Sequence, residues 1–220
     1  MPRTTELVPW RGDGRTMTKP VDEATSHRER MRTLQSEVRR KRAEASDPGR
    51  GLVLVHTGDG KGKSSSAFGV IARGLGWGWK VAVVQFIKGE WKTGERQFFE
   101  RFPDQVVWRT MGEGFTWDTQ DRARDIKAAS GALAAARGML ASGDFDLVVL
   151  DEINVVMSYD YLETGAVLEA LRARASSTSV ILTGRGARPE VIGYADLVTE
   201  MCEVKHPFTE GIRAQRGIDY

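Results

Sequence analysis

The sequence predicts an α/β domain, a mostly parallel sheet with helices on both faces, preceded by a basic helical extension. Three observations carry this. Short apolar runs rich in β-formers recur between residues 51 and 203. Helical patterns separate them, and strands alternating with helices pair in parallel through crossovers. One such run leads directly into a glycine- and lysine-rich loop with a helix behind it.

The length of 220 residues fits one domain plus an extension. Residues 1–20 hold Pro2, Pro9, Gly12, Gly14 and Pro20 with little periodicity and read as a flexible leader. Residues 21–46 are helical and heavily charged, with a narrow stripe of Met31, Leu34 and Val38 that suits an exposed helix. Asp47-Pro48-Gly49 ends it. The division expected is therefore 1–50, leader and basic helix, and 51–220, the globular domain.

Within that domain residues 51–56 read as a buried strand, 62–74 as a helix, and 80–86 and 105–110 as strands. An Ala-rich helix over 118–142 is opened by Asp118 as cap and closed by Gly143. Residues 146–150 form a fourth strand, 165–175 a helix, 179–183 a fifth strand and 197–203 a short sixth.

Composition excludes several classes. Net charge is +2, so the chain as a whole is no electrostatic nucleic-acid binder. The first fifty residues carry twelve Lys/Arg against eight Asp/Glu, a basic excess that suits a solvated tail or an anionic partner. Cys202 is the one cysteine, so no disulfide framework forms within the chain. It reads as a small buried hydrophobe in a protein of the reducing cytosol. No apolar stretch approaches the ~18 residues that span a bilayer, and the N-terminus has no apolar signal core. A cytoplasmic protein is expected. His27, His56 and His206 share no metal-ligand spacing.

The chemistry concentrates after the first strand, in Thr57-Gly58-Asp59-Gly60-Lys61-Gly62-Lys63-Ser64-Ser65. Strand, glycine-rich loop and helix in that order form a phosphate cradle: glycines let backbone N–H groups point inward, and the helix N-terminus adds positive potential. Lys63 would bridge the outer phosphates, Ser64 would offer its hydroxyl to Mg²⁺, and Ser65 could bond an inner phosphate. Lys61 contacts phosphate or is merely solvated. The spacing departs from G-x-x-x-x-G-K-[ST], because three residues separate Gly58 from Gly62 and Thr57 takes the place of the first glycine. The bland alternative is a surface turn.

Leu147–Asp151 is an apolar run ending in Asp151 and then Glu152, at the carboxyl edge of the sheet beside the phosphate site. Asp151 is the first candidate for a metal and Glu152 the second, with the ribose or a water as its other partner. The alternative for both is a plain helix N-terminal acid. Arg185 follows the fifth strand and suits a phosphate, or is a surface arginine. Arg73, near the end of the first domain helix, is a weaker candidate. Phe115 and Trp117 sit two apart between glycines, which suits either a flat apolar ligand or core packing.

Taken together, HTGDGKGKSSSAFG, VVQFIKG, GFTWDTQ, LDEIN, TGRG and the tail VKHPFTEGIRAQRGIDY resemble the P-loop type of ATP:corrinoid adenosyltransferase over residues 51–220. The resemblance implies a P-loop NTPase (RecA-like) domain, usually a homodimer. Its activity would be that of a cob(I)yrinic acid a,c-diamide adenosyltransferase, taking ATP, Mg²⁺ or Mn²⁺ and a cob(I)alamin-type corrinoid. A flavin-type reductase or reduced flavin would be the electron donor. It implies nucleotide contacts from Thr57 through Ser65, Arg73 and Glu152, metal contacts from Ser64, Asp151 and Glu152, and catalytic roles for Lys63, Phe115, Trp117 and Arg185. ATP would lie in the reverse sense, its ribose 5′-carbon facing the cobalt. Phe115 and Trp117 would close the corrinoid site and displace the lower axial ligand. Asp59 stands where relatives often carry Asn, which adds charge at a position facing the ribose. The rival readings are a RecA-like ATPase, a small-molecule kinase and a non-catalytic corrinoid carrier.

Overall fold

The computed structural model describes residues 20–87, 93–111 and 121–220. The chain falls into two units, residues 1–47 and 48–220. The first contains helix α1, Pro20–Glu44, on which Met31, Leu34 and Val38 are exposed as the narrow stripe requires.

The second unit runs β1 (Val53–Thr57), α2 (Lys63–Gly76), β2 (Val81–Gln85), α3 (Gly94–Phe99), β3 (Val106–Thr110), α4 (Arg122–Ser142), β4 (Leu147–Asp151), α5 (Ile153–Ser158), α6 (Thr164–Arg172), β5 (Ser179–Thr183), α7 (Pro189–Tyr194) and β6 (Leu197–Glu200). A 3₁₀ turn, Pro207–Glu210, lies in the tail. The strands form one six-stranded sheet in the order β3-β2-β4-β5-β1-β6, and every pairing is parallel.

Period-two alternation gives the sheet two apolar faces. Val53, Val55, Ala82, Val84, Val148, Leu150, Val180 and Leu182 face a core made with α4, α5, α6 and α7. Val81, Val83, Leu147, Val149 and Ile181 face the other core, where α2 supplies Ala67, Phe68 and Ile71 and α3 supplies Phe99. The aromatic part of this second core is compact: the Phe68 ring lies 5.5 Å from Trp108 and 6.1 Å from Phe99. On α4 the buried positions Ala129, Ala132 and Ala136 lie three or four apart, so this helix presents a methyl stripe to the sheet.

Two ends differ from expectation. The cap of α4 is Asp121, whose carboxylate accepts the Arg124 N–H at 3.1 Å; residues 112–120, with Asp118, Phe115 and Trp117, lie outside the described residues. Gly143 closes the helix at φ 74, as its lack of Cβ permits. The edge strand β6 stops at Glu200, and all four of its residues are exposed.

The connections fix where a ligand can sit. The helix after β1 covers one face, and the helices after β4 and β5 cover the other, so the crevice between them opens at the carboxyl ends of β1, β5 and β4.

Leu150 is fully buried in the central strand β4. Leu150→Ala should lower the unfolding free energy by about 2–5 kcal/mol. Urea unfolding followed by tryptophan fluorescence measures it, and a loss below about 1 kcal/mol would contradict this account of the core.

Candidate phosphate and metal site

The loop between β1 and α2 is held from three sides. His56, on β1, is buried, and its Nδ1 lies 3.2 Å from the Lys63 carbonyl oxygen across the loop. Burial pushes the His56 pKa down, so the ring is neutral here at neutral pH. The Thr57 hydroxyl accepts the Ala187 N–H at 3.2 Å. Along the outside, the Gly60 N–H donates to the Met201 carbonyl at 2.7 Å, and the Met201 N–H donates to that of Thr57 at 2.8 Å.

These contacts explain the glycines. A Cβ on Gly58 would lie 2.5 Å from the Met201 carbonyl oxygen, and one on Gly60 would lie 2.7 Å from the Cys202 carbonyl. Gly58 also holds φ 89 and Gly62 φ 112, both left-handed. Cys202 is exposed rather than the buried hydrophobe expected, because it is its backbone that packs against Gly60.

Lys63 is buried at the first position of α2, and its ammonium donates to the Gly60 carbonyl at 2.6 Å. Burial lowers its pKa first, Arg185 lowers it further, and Glu152 and Asp59 oppose both. Arg185, past β5, donates from Nη2 to the Asp59 carbonyl at 3.1 Å and stays largely exposed.

Asp151 ends β4 almost fully buried. Its Oδ1 accepts the Thr183 hydroxyl at 2.8 Å, its Oδ2 accepts Gln85 Nε2 at 3.2 Å, and Ser64 supplies a third hydrogen bond. Burial pushes its pKa up, and those three donors hold it back. The same Thr183 oxygen accepts the Glu152 N–H at 2.9 Å, so one residue at the end of β5 sets both acids. Glu152 has φ 63, left-handed for a non-glycine residue, and its side chain does not cap α5. Burial, then the charge of Asp151, raises its pKa to about 7. Two carboxylates this close repel each other, and a bound cation would let both ionise.

A cavity of about 520 Å³ joins these parts. Lys61, Gly62, Lys63, Ser64 and Ser65 line one side, Glu152 and Arg185 another, with Ile87, Val155, Ser158, Tyr159 and Asp219 completing it. Residues 61–65 of the loop, Glu152 and Arg185 thus converge on one cavity, and Asp151 lies buried outside its lining, bonded to Ser64. Arg73 does not join them: it is exposed in the last turn of α2, ten residues from Lys63 and so about 15 Å along the axis. Thr183, Gln85 and Asp219 escaped the sequence reading, because what marks them is hydrogen bonding across the sheet or along the chain.

The donors suit a hard cation. Among the described residues no cluster of three His, Cys, Asp or Glu side chains could hold a metal by itself. Ser64, Asp151 and Glu152 offer only oxygens, and such a set fits Mg²⁺, which fills its remaining positions with phosphate and water.

The family model for the ATP:corrinoid adenosyltransferases BtuR/CobO/CobP matches residues 49–220. A corrinoid adenosyltransferase of Pseudomonas aeruginosa is 52% identical over 204 residues, covering 93% of this chain and 100% of that one. One from Escherichia coli K12 is 44% identical over 194 residues, covering 88% and 97%. The corrinoid adenosyltransferase CobA of Salmonella typhimurium is 43% identical over 194 residues, covering 88% and 97%.

The raised pKa of Glu152 has a stability consequence. Between the ordinary carboxylate value of 4.5 and about 7 the folded state holds a proton that the unfolded chain has lost. Stability from this group is therefore full at low pH and falls as pH rises through that window. Glu152→Gln should raise the melting temperature of the ligand-free protein at pH 8 and leave it nearly unchanged at pH 4. Equal shifts at both pH values would remove the ionisation from the explanation.

Proposed function

The chain belongs to the ATP:corrinoid adenosyltransferase family, and from that premise we propose how its residues divide the transfer of the 5′-deoxyadenosyl group of ATP to the cobalt of a reduced corrinoid. The observation that carries the proposal is the convergence of Lys63, Ser64, Glu152 and Arg185 on one cavity at the carboxyl edge of the sheet.

In the reaction cobalt attacks the ribose 5′-carbon, a Co–C bond forms, the C–O bond breaks, and triphosphate departs. Reduced cobalt is itself the nucleophile, so the protein has to orient the substrates and offset the charge of the leaving group. Residues 61–65 of the loop and the N-terminus of α2 receive the polyphosphate, while the Gly60 N–H donates to the Met201 carbonyl. Lys63 and Arg185 add full positive charge, and Lys61 stands at the rim. Ser64, Asp151 and Glu152 would hold Mg²⁺ or Mn²⁺, which neutralises phosphate charge when bound. Thr183 and Gln85 hold the two oxygens of the Asp151 carboxylate in place. By the motif resemblance, Asp59 would be the loop residue offered to the ribose. Phe115 and Trp117 close the corrinoid site and exclude an axial ligand, an apolar task.

The corrinoid class spans cobyrinic acid a,c-diamide, cobinamide and cobalamin. The working form is a cytoplasmic homodimer supplied with electrons by a flavin-type reductase or reduced flavin. These features rest on the motif resemblance; no helix among the described residues is long and apolar enough to cross a membrane.

Anaerobic incubation with ATP, Mg²⁺ and chemically reduced corrinoid should yield inorganic triphosphate and a light-sensitive adenosylcorrinoid. ADP with orthophosphate would indicate an ATPase, and ADP with a phosphorylated acceptor a kinase. Lys63→Ala should slow triphosphate release by about 10²-fold or more, the scale of losing one preorganised charge-stabilising group; a near-normal rate would take the loop out of the mechanism. Replacing both Phe115 and Trp117 by Ala should harm turnover from cob(II)alamin more than from prereduced cob(I)alamin. Equal losses would mean that the aromatics only bind or pack.

A further inference from the structure

Residues 215–220 fold back onto the cavity in a turn closed by its own backbone. The Gln215 carbonyl accepts the N–H groups of Ile218 at 3.1 Å and Asp219 at 2.8 Å, and the main-chain oxygen of Tyr220 accepts that of Gly217 at 2.8 Å. Gly217 permits this with φ 84. The turn sits between two cavities that share Ser65. Asp219 lines the phosphate cavity, while Ile218 and Tyr220 line an apolar groove of about 430 Å³ with Phe68, Ala72 and Phe98.

The Asp219 carboxylate has two partners. Oδ2 accepts the Gln215 N–H at 2.8 Å, which anchors it to the turn. Oδ1 accepts the ammonium of Lys61, a residue of the phosphate loop itself. The exposures are unequal: the Asp219 side chain is 13% exposed and that of Lys61 50%. Asp219 is therefore the fixed partner and Lys61 the one with room to swing. Among the described residues three cations line the cavity, Lys61, Lys63 and Arg185, and Asp219 offsets one of them.

We propose that Asp219 is a positioning residue that holds Lys61 at the cavity rim and competes with phosphate for it, so that ATP is held less tightly and triphosphate leaves faster. The chemical reason lies in the product. Breaking the C–O bond leaves an additional ionisable oxygen on the triphosphate, so the product carries more negative charge than the triphosphate ester of ATP, and a site with every cation free would retain it. A carboxylate on the tail supplies an alternative partner for Lys61 as the anion departs. The inference rests on the assignment of this cavity to a polyphosphate.

The test uses the full chain with Mg²⁺, calorimetric titration with inorganic triphosphate, and steady-state kinetics in ATP. Asp219→Asn should tighten triphosphate binding about two- to five-fold, the range of an exposed ion pair, and lower the KM for ATP by a similar factor without raising kcat. Asp219→Glu should stay near the wild type. In a Lys61→Ala background the shift caused by Asp219→Asn should shrink below about two-fold. Asp219→Ser is a second variant with the same expectation should the amide disturb the turn. No tightening, or the same shift in both backgrounds, overturns the role of Asp219. A wild type that binds no triphosphate, or Lys63→Ala binding it as well as the wild type, defeats the cavity assignment itself. Unchanged binding by Asp219→Asn beside weakened binding by Lys63→Ala defeats only the inference about the tail.

Discussion

Everything in the site depends on a main-chain contact: the backbone of Met201 and Cys202 pressed against Gly58 and Gly60. A loop that wraps an anion has to keep its N–H groups inward against the tendency of a short free segment to open. Here the curvature is imposed from outside, by a segment that continues β6 and bonds to Thr57 and Gly60. Closeness of this order excludes a Cβ, so glycine at 58 and 60 answers to a neighbouring strand as well as to the ligand. The inner side is fixed by His56 and the Lys63 carbonyl. What lies between is a preformed concavity rather than one that must be organised by binding.

A second layer of organisation lies in the strand ends. β5 stands between β1 and β4, so Thr183 sits between the phosphate loop and the acids. Its hydroxyl donates to Asp151 while its oxygen accepts from the Glu152 backbone. The acids are thereby placed before any cation arrives, at the cost of burial, which raises both pKa values, and of the Asp151 charge, which raises that of Glu152 further. Such an arrangement favours a cation that accepts oxygen donors and brings its own water.

The strands, the loop and the long helix were legible in the sequence because each is a local pattern. A five-residue apolar run or a glycine cluster between strand and helix declares itself without reference to the rest of the chain. The helices α3, α5 and α7 were not: each has six residues, fewer than two turns, too short to show a period. Asp121 takes the cap expected of Asp118, since both are acids just before the same helix and composition does not rank them. At the site, Lys63, Ser64, Asp151, Glu152 and Arg185 were readable because chemistry follows a strand end. Thr183 and Gln85 look like ordinary strand residues until β5 and β2 are laid beside β4. Arg73 carried the right charge on the wrong end of α2. The role of Asp219 depends on a chain reversal that no local pattern announces.

The methyl stripe on α4 has a mechanical corollary. Alanines let that helix seat closely and firmly on the sheet, and its N-terminus is closed by the Asp121 cap. At the other end of the intervening stretch, Met111 is tied to β2 through its N–H and the Gln85 carbonyl. Met111 and Asp121, which flank the stretch bearing Phe115 and Trp117, are thus both fixed to the body of the domain, the first through β2 and the second through α4, and the sheet sets where that stretch leaves and where it returns.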